Sequence, residues 1–339
     1  MKIAQRIANH RLPHLPNARF IATHPEMALS PVKTIILKEP NVWERGEVAA
    51  PTEPGHGEVL VTVGCVGVCG TDFHAFGGNQ PLFSYPRVPG HELGVLVAKL
   101  GPGCEDSGLS VGDHCAVEPY VGCGDCVACR QGKPNCCTSI SVLGVHIDGG
   151  LCTQFVCPAV KVHRSEKRLP LDQLAVVEPL CIGAHAVFRA SPSPGENVLV
   201  IGAGPVGMGV CQFALAEEAN VIVMDISDNR LAFVMEQVGV PQKVNVLTDG
   251  DKADGEVIVN AVRACFGGEL PTCVIDATGA PPSMEKAFPE DPTKEKILPG
   301  TPTMEKSMAE SPCMESRNGE CRAKLAHDGG NHVAGTIQR

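Results

Sequence analysis

The sequence predicts an α/β protein in two parts, a barrel-like β domain followed by an open parallel sheet. Three observations carry this prediction. Short apolar runs separated by Gly, Pro and Asp fill residues 31–190, with little helical periodicity. From about Pro194 onward strands and helices alternate, which implies parallel pairing with right-handed crossovers. The chain has 339 residues, 43% hydrophobic and 19% charged, which suits about two globular domains.

The elements follow in order. Residues 1–30 carry Lys2, Arg6, Arg11 and Arg19 against the single acid Glu26, and no apolar run suited to a secretory signal. They are expected to be a disordered tail, or a misassigned start with Met27 as the initiator, with a mitochondrial leader as the other reading. Residues 31–190 hold the β runs 58–66, 93–99 and 154–162. Residues 191–288 open on the strand 197–201, a Gly-rich loop and a helix to about Ala219. Strand 221–224, helix 228–238, a strand near 243–247, helix 255–266 and strand 272–276 complete this part. Residues from 281 on, and 289–339 above all, are rich in Pro and poor in Val, Ile, Leu and Phe. They are expected to be a disordered tail without strands, leaving strand 272–276 as an exposed apolar edge.

Composition excludes several functions. A net charge of −10 argues against a nucleic-acid partner, since phosphate contacts need a basic face. No apolar run reaches the roughly 18 residues of a membrane span. The 17 cysteines do not fit a short secreted disulfide scaffold, and their clustering points to metal in a reducing, cytoplasmic setting.

Cys123, Cys126, Cys129 and Cys137 have the spacing of a closed four-thiolate zinc site, with Cys136 an alternative to Cys137. Such a site stabilises a loop and leaves no open position for chemistry. A second, dispersed set comprises Cys69, His91, Glu92 and Glu178. One thiolate, one imidazole and one carboxylate would leave a position open for water or substrate, as in a catalytic zinc site.

Gly202, Gly204 and Gly207 form a Gly-x-Gly-x-x-Gly loop between a strand and a helix, with Pro205 and Val206 inside it. The three glycines allow a tight turn, close approach of a pyrophosphate and close helix–strand packing. Asp225 ends the next strand and can accept the ribose hydroxyls, which favours NAD over NADP. Arg230 nearby pulls the other way, and Thr278 closes the fourth strand beside the loop.

In this order, these motifs resemble the zinc-dependent medium-chain alcohol dehydrogenase family over about residues 32–288. The Gly77–Pro81, Ser84–Pro86, Asn135–Cys137 and Ile140–His146 segments look closest to its L-galactonate, L-idonate and sorbitol dehydrogenase branch. The resemblance implies a GroES-like catalytic domain and a Rossmann domain, two zinc ions per chain, NAD, and a polyol or sugar-acid substrate such as L-galactonate. It implies that Cys69 and His91 bind the catalytic zinc with either Glu92 or Glu178. It also implies that Thr71 and His74 relay the alcohol proton outward while a hydride passes to nicotinamide, and that Cys123, Cys126, Cys129 and Cys137 hold the structural zinc. Members are commonly homo-oligomers, but the sixth strand that makes the contact in many of them has no counterpart here. The Rossmann part is truncated after four strands. A second reading is therefore a catalytically impaired relic that folds around zinc without turnover.

Overall fold

The computed structural model describes residues 31–48, 53–248, 251–252, 255–280, 283 and 322–325. Two compact units divide between Pro179 and Leu180.

The first unit opens on a hairpin, β1 (Val32–Glu39) and β2 (Val42–Val48), paired antiparallel with Leu37 opposite Trp43. Then come β3 (Glu58–Gly67), α1 (Gly70–Phe76), β4 (Glu92–Leu100), β5 (His114–Val117) and β6 (Tyr120–Val121). Further along lie α2 (Val127–Arg130), β7 (Ser141–Val142), β8 (Gln154–Pro158), β9 (Val162–Arg164) and α3 (Leu171–Ala175). An antiparallel sheet runs β8-β3-β4-β5-β9. Its buried face gathers Val59, Val61, Leu93, Val95, Val97, Cys115, Val117 and Cys157. Two irregularities in the β3–β4 register, at Leu60/Val61 and Val63/Cys65, bend β3 so that it ends just before Cys69.

Helix α4 (Val177–Ala190) has no counterpart in the β-rich reading of residues 31–190, nor does α3. Pro179 interrupts the apolar pattern there, yet it sits in the first turn, where its missing N–H bond is not needed.

In the second unit β10 (Asn197–Ile201), α5 (Pro205–Ala216), β11 (Asn220–Asp225), α6 (Asp228–Val238) and β12 (Gln242–Asn245) succeed one another. A short hairpin follows, β13 (Leu247–Thr248) and β14 (Asp251–Lys252), then α7 (Gly255–Cys265), β15 (Cys273–Asp276) and β16 (Arg322–Leu325). The parallel sheet order β12-β11-β10-β15-β16 is that of a doubly wound fold around its first strand. Alternate residues serve opposite faces. Val198 and Val200 pack with Val206, Val210 and Val223, while Leu199 and Ile201 pack with Ile222, Val262 and Val274. Burial on both faces explains the unbroken apolar runs.

One expectation is corrected. β15 is not a bare edge: β16 pairs with it in parallel from Cys273–Arg322 to Asp276–Leu325. The remainder of 289–339, like residues 1–30, lies outside the described residues. Among the described residues no helix is long and apolar enough to cross a membrane.

Candidate metal centres and dinucleotide site

The four-thiol lobe stands on a two-stranded base in which Tyr120 pairs with Val142 and Val121 with Ser141. The chain leaves β6, wraps through α2 and a 3₁₀ turn at Pro134–Cys136, and returns on β7. Backbone amides point at the sulfurs. The N–H of Cys126 donates to Cys123 Sγ at 3.3 Å, that of Cys129 to Cys126 Sγ at 3.5 Å, and that of Cys123 to Cys137 Sγ at 3.3 Å. The four Sγ atoms of Cys123, Cys126, Cys129 and Cys137 all lie within 4.8 Å of one another. A zinc with bonds of about 2.3 Å in a tetrahedron needs sulfurs ~3.8 Å apart, so the set fits one ion. Cys136 is exposed and outside this group, its sulfur facing Asn135 Nδ2.

Backbone amides of Cys129 and Thr138 draw the Cys126 thiol down to about 6, and those of Asp125 and Cys126 lower Cys123. Cys129 is pushed up to about 12, first by desolvation and then by the other three sulfurs. Four sulfurs this close cannot all carry charge unless a cation sits among them.

The second cluster is Cys69, His91 and Glu92, whose ligand atoms also lie within 4.8 Å of one another. Cys69 is the residue before α1, and its N–H donates to Asp72 Oδ2 at 2.9 Å. Asp72 is buried, with Oδ1 4.0 Å from His91 Nδ1. His91 immediately precedes β4, Glu92 opens it, and both are buried. Buried carboxylates persist where they are paired or coordinate metal. Glu92 stands opposite Gly67 in the β3–β4 register. A Cβ built on Gly67 would lie 2.8 Å from Glu92 Cβ and closer still to its carboxylate. The carboxylate therefore occupies a cradle that any side chain would fill. Thiolate, imidazole and carboxylate form a donor set suited to zinc.

Glu178 lies outside this trio, in the first turn of α4, and its Oε1 accepts from the Tyr120 hydroxyl at 2.9 Å. Thr71 is buried at the start of α1, and His74, one turn on and on the same face, is exposed. Gly67, Asp72 and Tyr120 were not singled out by the motifs. Asp72 had a sequence signal, three residues after Cys69 at a helix start; the other two owe their places to cross-strand pairing.

In the second unit, the glycine loop follows β10. Gly202 takes φ +103° and its N–H donates to the Met224 carbonyl at 2.7 Å. A Cβ on Gly207 would lie 2.8 Å from the Gly202 carbonyl carbon and nearer to its oxygen, so the helix needs glycine there. A Cβ on Gly204 would meet nothing within 4 Å. Gly204 precedes α5, Pro205 is its first residue, and Val206 is buried beneath it. Asp225 accepts from Ala203 N–H at 2.7 Å and Ser227 N–H at 2.8 Å, which ties the end of β11 to the loop. Half of its roughly four acceptor sites remain for ribose hydroxyls. Thr278 donates through N–H and Oγ1 to Asp276 Oδ1, both at 2.8 Å. Arg230 is exposed in the first turn of α6. The open N-terminus of α5 supplies amides and a positive dipole end to an anionic ligand.

Comparison with known proteins agrees with this layout. Residues 55–167 match a family model described as the alcohol dehydrogenase GroES-like domain, and residues 205–289 one described as zinc-binding dehydrogenase. The L-galactonate-5-dehydrogenase of Escherichia coli K12 is 43% identical over 258 residues, which are 74% of this chain and 70% of that protein. A crystal structure of the short chain alcohol dehydrogenase RspB from Escherichia coli CFT073, complexed with cofactor NADH, is 35% identical with a TM-score of 0.66, covering 76% of this chain and 72% of that one. Galactitol-1-phosphate dehydrogenase from Escherichia coli gives a TM-score of 0.67 at 26% identity, covering 75% and 71%.

Proposed function

The chain belongs to the zinc-dependent alcohol dehydrogenase family and is a zinc-dependent oxidoreductase, and from that premise we propose that it oxidises a secondary alcohol of a polyol or sugar acid with NAD. The observation that carries the reading is the convergence of Cys69, His91 and Glu92 two residues from the buried hydroxyl of Thr71. Held by that trio, zinc would supply a Lewis acid that lowers the pKa of an alcohol oxygen. NAD supplies the hydride acceptor. Thr71 Oγ1 takes the alcohol proton and the imidazole of His74 delivers it to solvent, a direction supported by their buried and exposed places on one face of α1. Glu178, held by Tyr120, is the second carboxylate and serves beside the substrate oxygen or its water rather than as the third ligand.

The lobe of Cys123, Cys126, Cys129 and Cys137 holds a second zinc that does no chemistry. Gly202, Gly204, Pro205, Val206, Gly207 and Thr278 receive the dinucleotide, and Asp225 selects NAD by repelling a 2′-phosphate. The sugar-acid preference rests on the likeness to the L-galactonate-5-dehydrogenase. A reducing, cytoplasmic setting would keep the thiols of both zinc sites available to metal.

The test is NAD reduction on L-galactonate, sorbitol and threonine. L-Galactonate should give the highest kcat/KM, and Thr71→Ala should lower turnover with zinc content intact. Two bound zinc ions with no reduction on any of the three would refute the reading.

A further inference from the structure

We infer that Gly67 is a positioning residue whose missing side chain admits Glu92 to the Cys69–His91–Glu92 trio. This rests on the proposal that the trio binds zinc. Gly67 is the last residue of β3 and Glu92 the first of β4, and the two face each other across the ladder. The three atoms nearest to a Cβ at position 67 all belong to Glu92: its Cβ at 2.8 Å, its Cδ at 3.1 Å and, closest, its Oε2. Real Cβ atoms keep at least 3.0 Å from such neighbours. Gly67 is not among the positive-φ glycines, so its backbone is one that any residue can adopt. Glycine is therefore present for space and not for conformation, although it weakens a strand.

The neighbouring Gly64 is different. There a Cβ would meet Leu171 of α3, which is packing between elements. At Gly67 the space goes to a carboxylate. A methyl group at position 67 displaces the flexible end of Glu92 and also presses on its Cβ at 2.8 Å, so the two strands must part slightly there and the carboxylate leaves the ligand set. Residue 67 thus decides whether the Glu92 carboxylate can join Cys69 and His91.

The experiment measures zinc in Gly67→Ala, Glu92→Ala and the double variant, by chelator competition and by the absorption spectrum after cobalt(II) substitution. Gly67→Ala should keep the zinc of the four-thiol lobe and bind the second zinc about 10–100-fold more weakly. Its cobalt spectrum should keep the thiolate band with shifted ligand-field bands. Glu92→Ala should match it, and the double variant should be no worse. Wild-type affinity in Gly67→Ala alongside weakened binding in Glu92→Ala would overturn the inference and leave the trio standing. Wild-type affinity in Glu92→Ala would overturn both. If Gly67→Ala does not fold, Gly67→Ala/Glu92→Gly must fold, because both the colliding carboxylate and the Glu92 Cβ at 2.8 Å are then gone; failure of that variant as well would overturn the assignment.

Discussion

Gly207→Ala drives a methyl group into the turn that receives the dinucleotide. The new Cβ would lie 2.8 Å from the Gly202 carbonyl carbon, closer still to its oxygen, and 3.6 Å from Ala277 Cβ. A backbone carbonyl cannot swing aside as a side chain can. Either the first turn of α5 or the Gly202 turn must retreat until contacts exceed 3.0 Å. Gly202 holds φ +103°, and Ala203 after it donates to Asp225. Moving this carbonyl therefore disturbs both the phosphate turn and the ribose acid. Overpacking of this kind costs about 1–3 kcal/mol. If the free protein relaxes, binding must restore the turn, so the same energy appears as about 10–100-fold weaker NADH binding. The assay is fluorescence titration of NADH beside a thermal melt. Gly204→Ala is the control: its Cβ meets no protein atom within 4 Å, so the melt should not move while the methyl group obstructs the pyrophosphate. Wild-type NADH affinity and an unchanged melt in Gly207→Ala would refute the reasoning.

Three further outcomes are expected. Cys137→Ser should lose one zinc equivalent, whereas exposed Cys136→Ser should keep both; metal analysis of the two variants decides it. Tyr120→Phe deletes a hydrogen bond to the Glu178 carboxylate, and should lower stability by about 1.5–3 kcal/mol in urea titration with an unchanged slope. The hydrogen bond from His163, with support from Lys161, holds the Glu118 carboxyl below the ordinary range against opposing desolvation. Its contribution is therefore present above the ordinary carboxylate pKa and lost as pH falls through the depressed one. Glu118→Gln should flatten the fall of melting temperature with acid.

Much of the second unit was legible because buried parallel strands read as unbroken apolar runs. The helix at 228–238 has its expected limits, and β10 and β15 fall within a residue of theirs. β16 was not legible: Arg322-Ala323-Lys324-Leu325 alternates charge with apolar residues and lacks the run that marks a buried strand. At the candidate sites, the spacing of Cys123, Cys126 and Cys129 announced a closed cluster, but Cys136 and Cys137 are sequence neighbours. Only the 3₁₀ turn ending at Cys136 turns one outward and buries the other. Glu92 and Glu178 were equally eligible as ligands by type. Their difference lies in partners far apart in sequence, Gly67 across the ladder from one and Tyr120 at the oxygen of the other. Such pairings leave no periodic trace along the chain.

The most direct test follows one atom. The zinc-loaded protein is incubated with NAD and a sugar acid deuterated at the carbon bearing the oxidised hydroxyl, and the reduced nicotinamide is analysed by mass spectrometry. Transfer of one deuterium to each nicotinamide, abolished by chelation and restored by zinc, is the predicted result. Reduced nicotinamide without label, or labelled product formed equally well after zinc is removed, would contradict zinc-dependent hydride transfer.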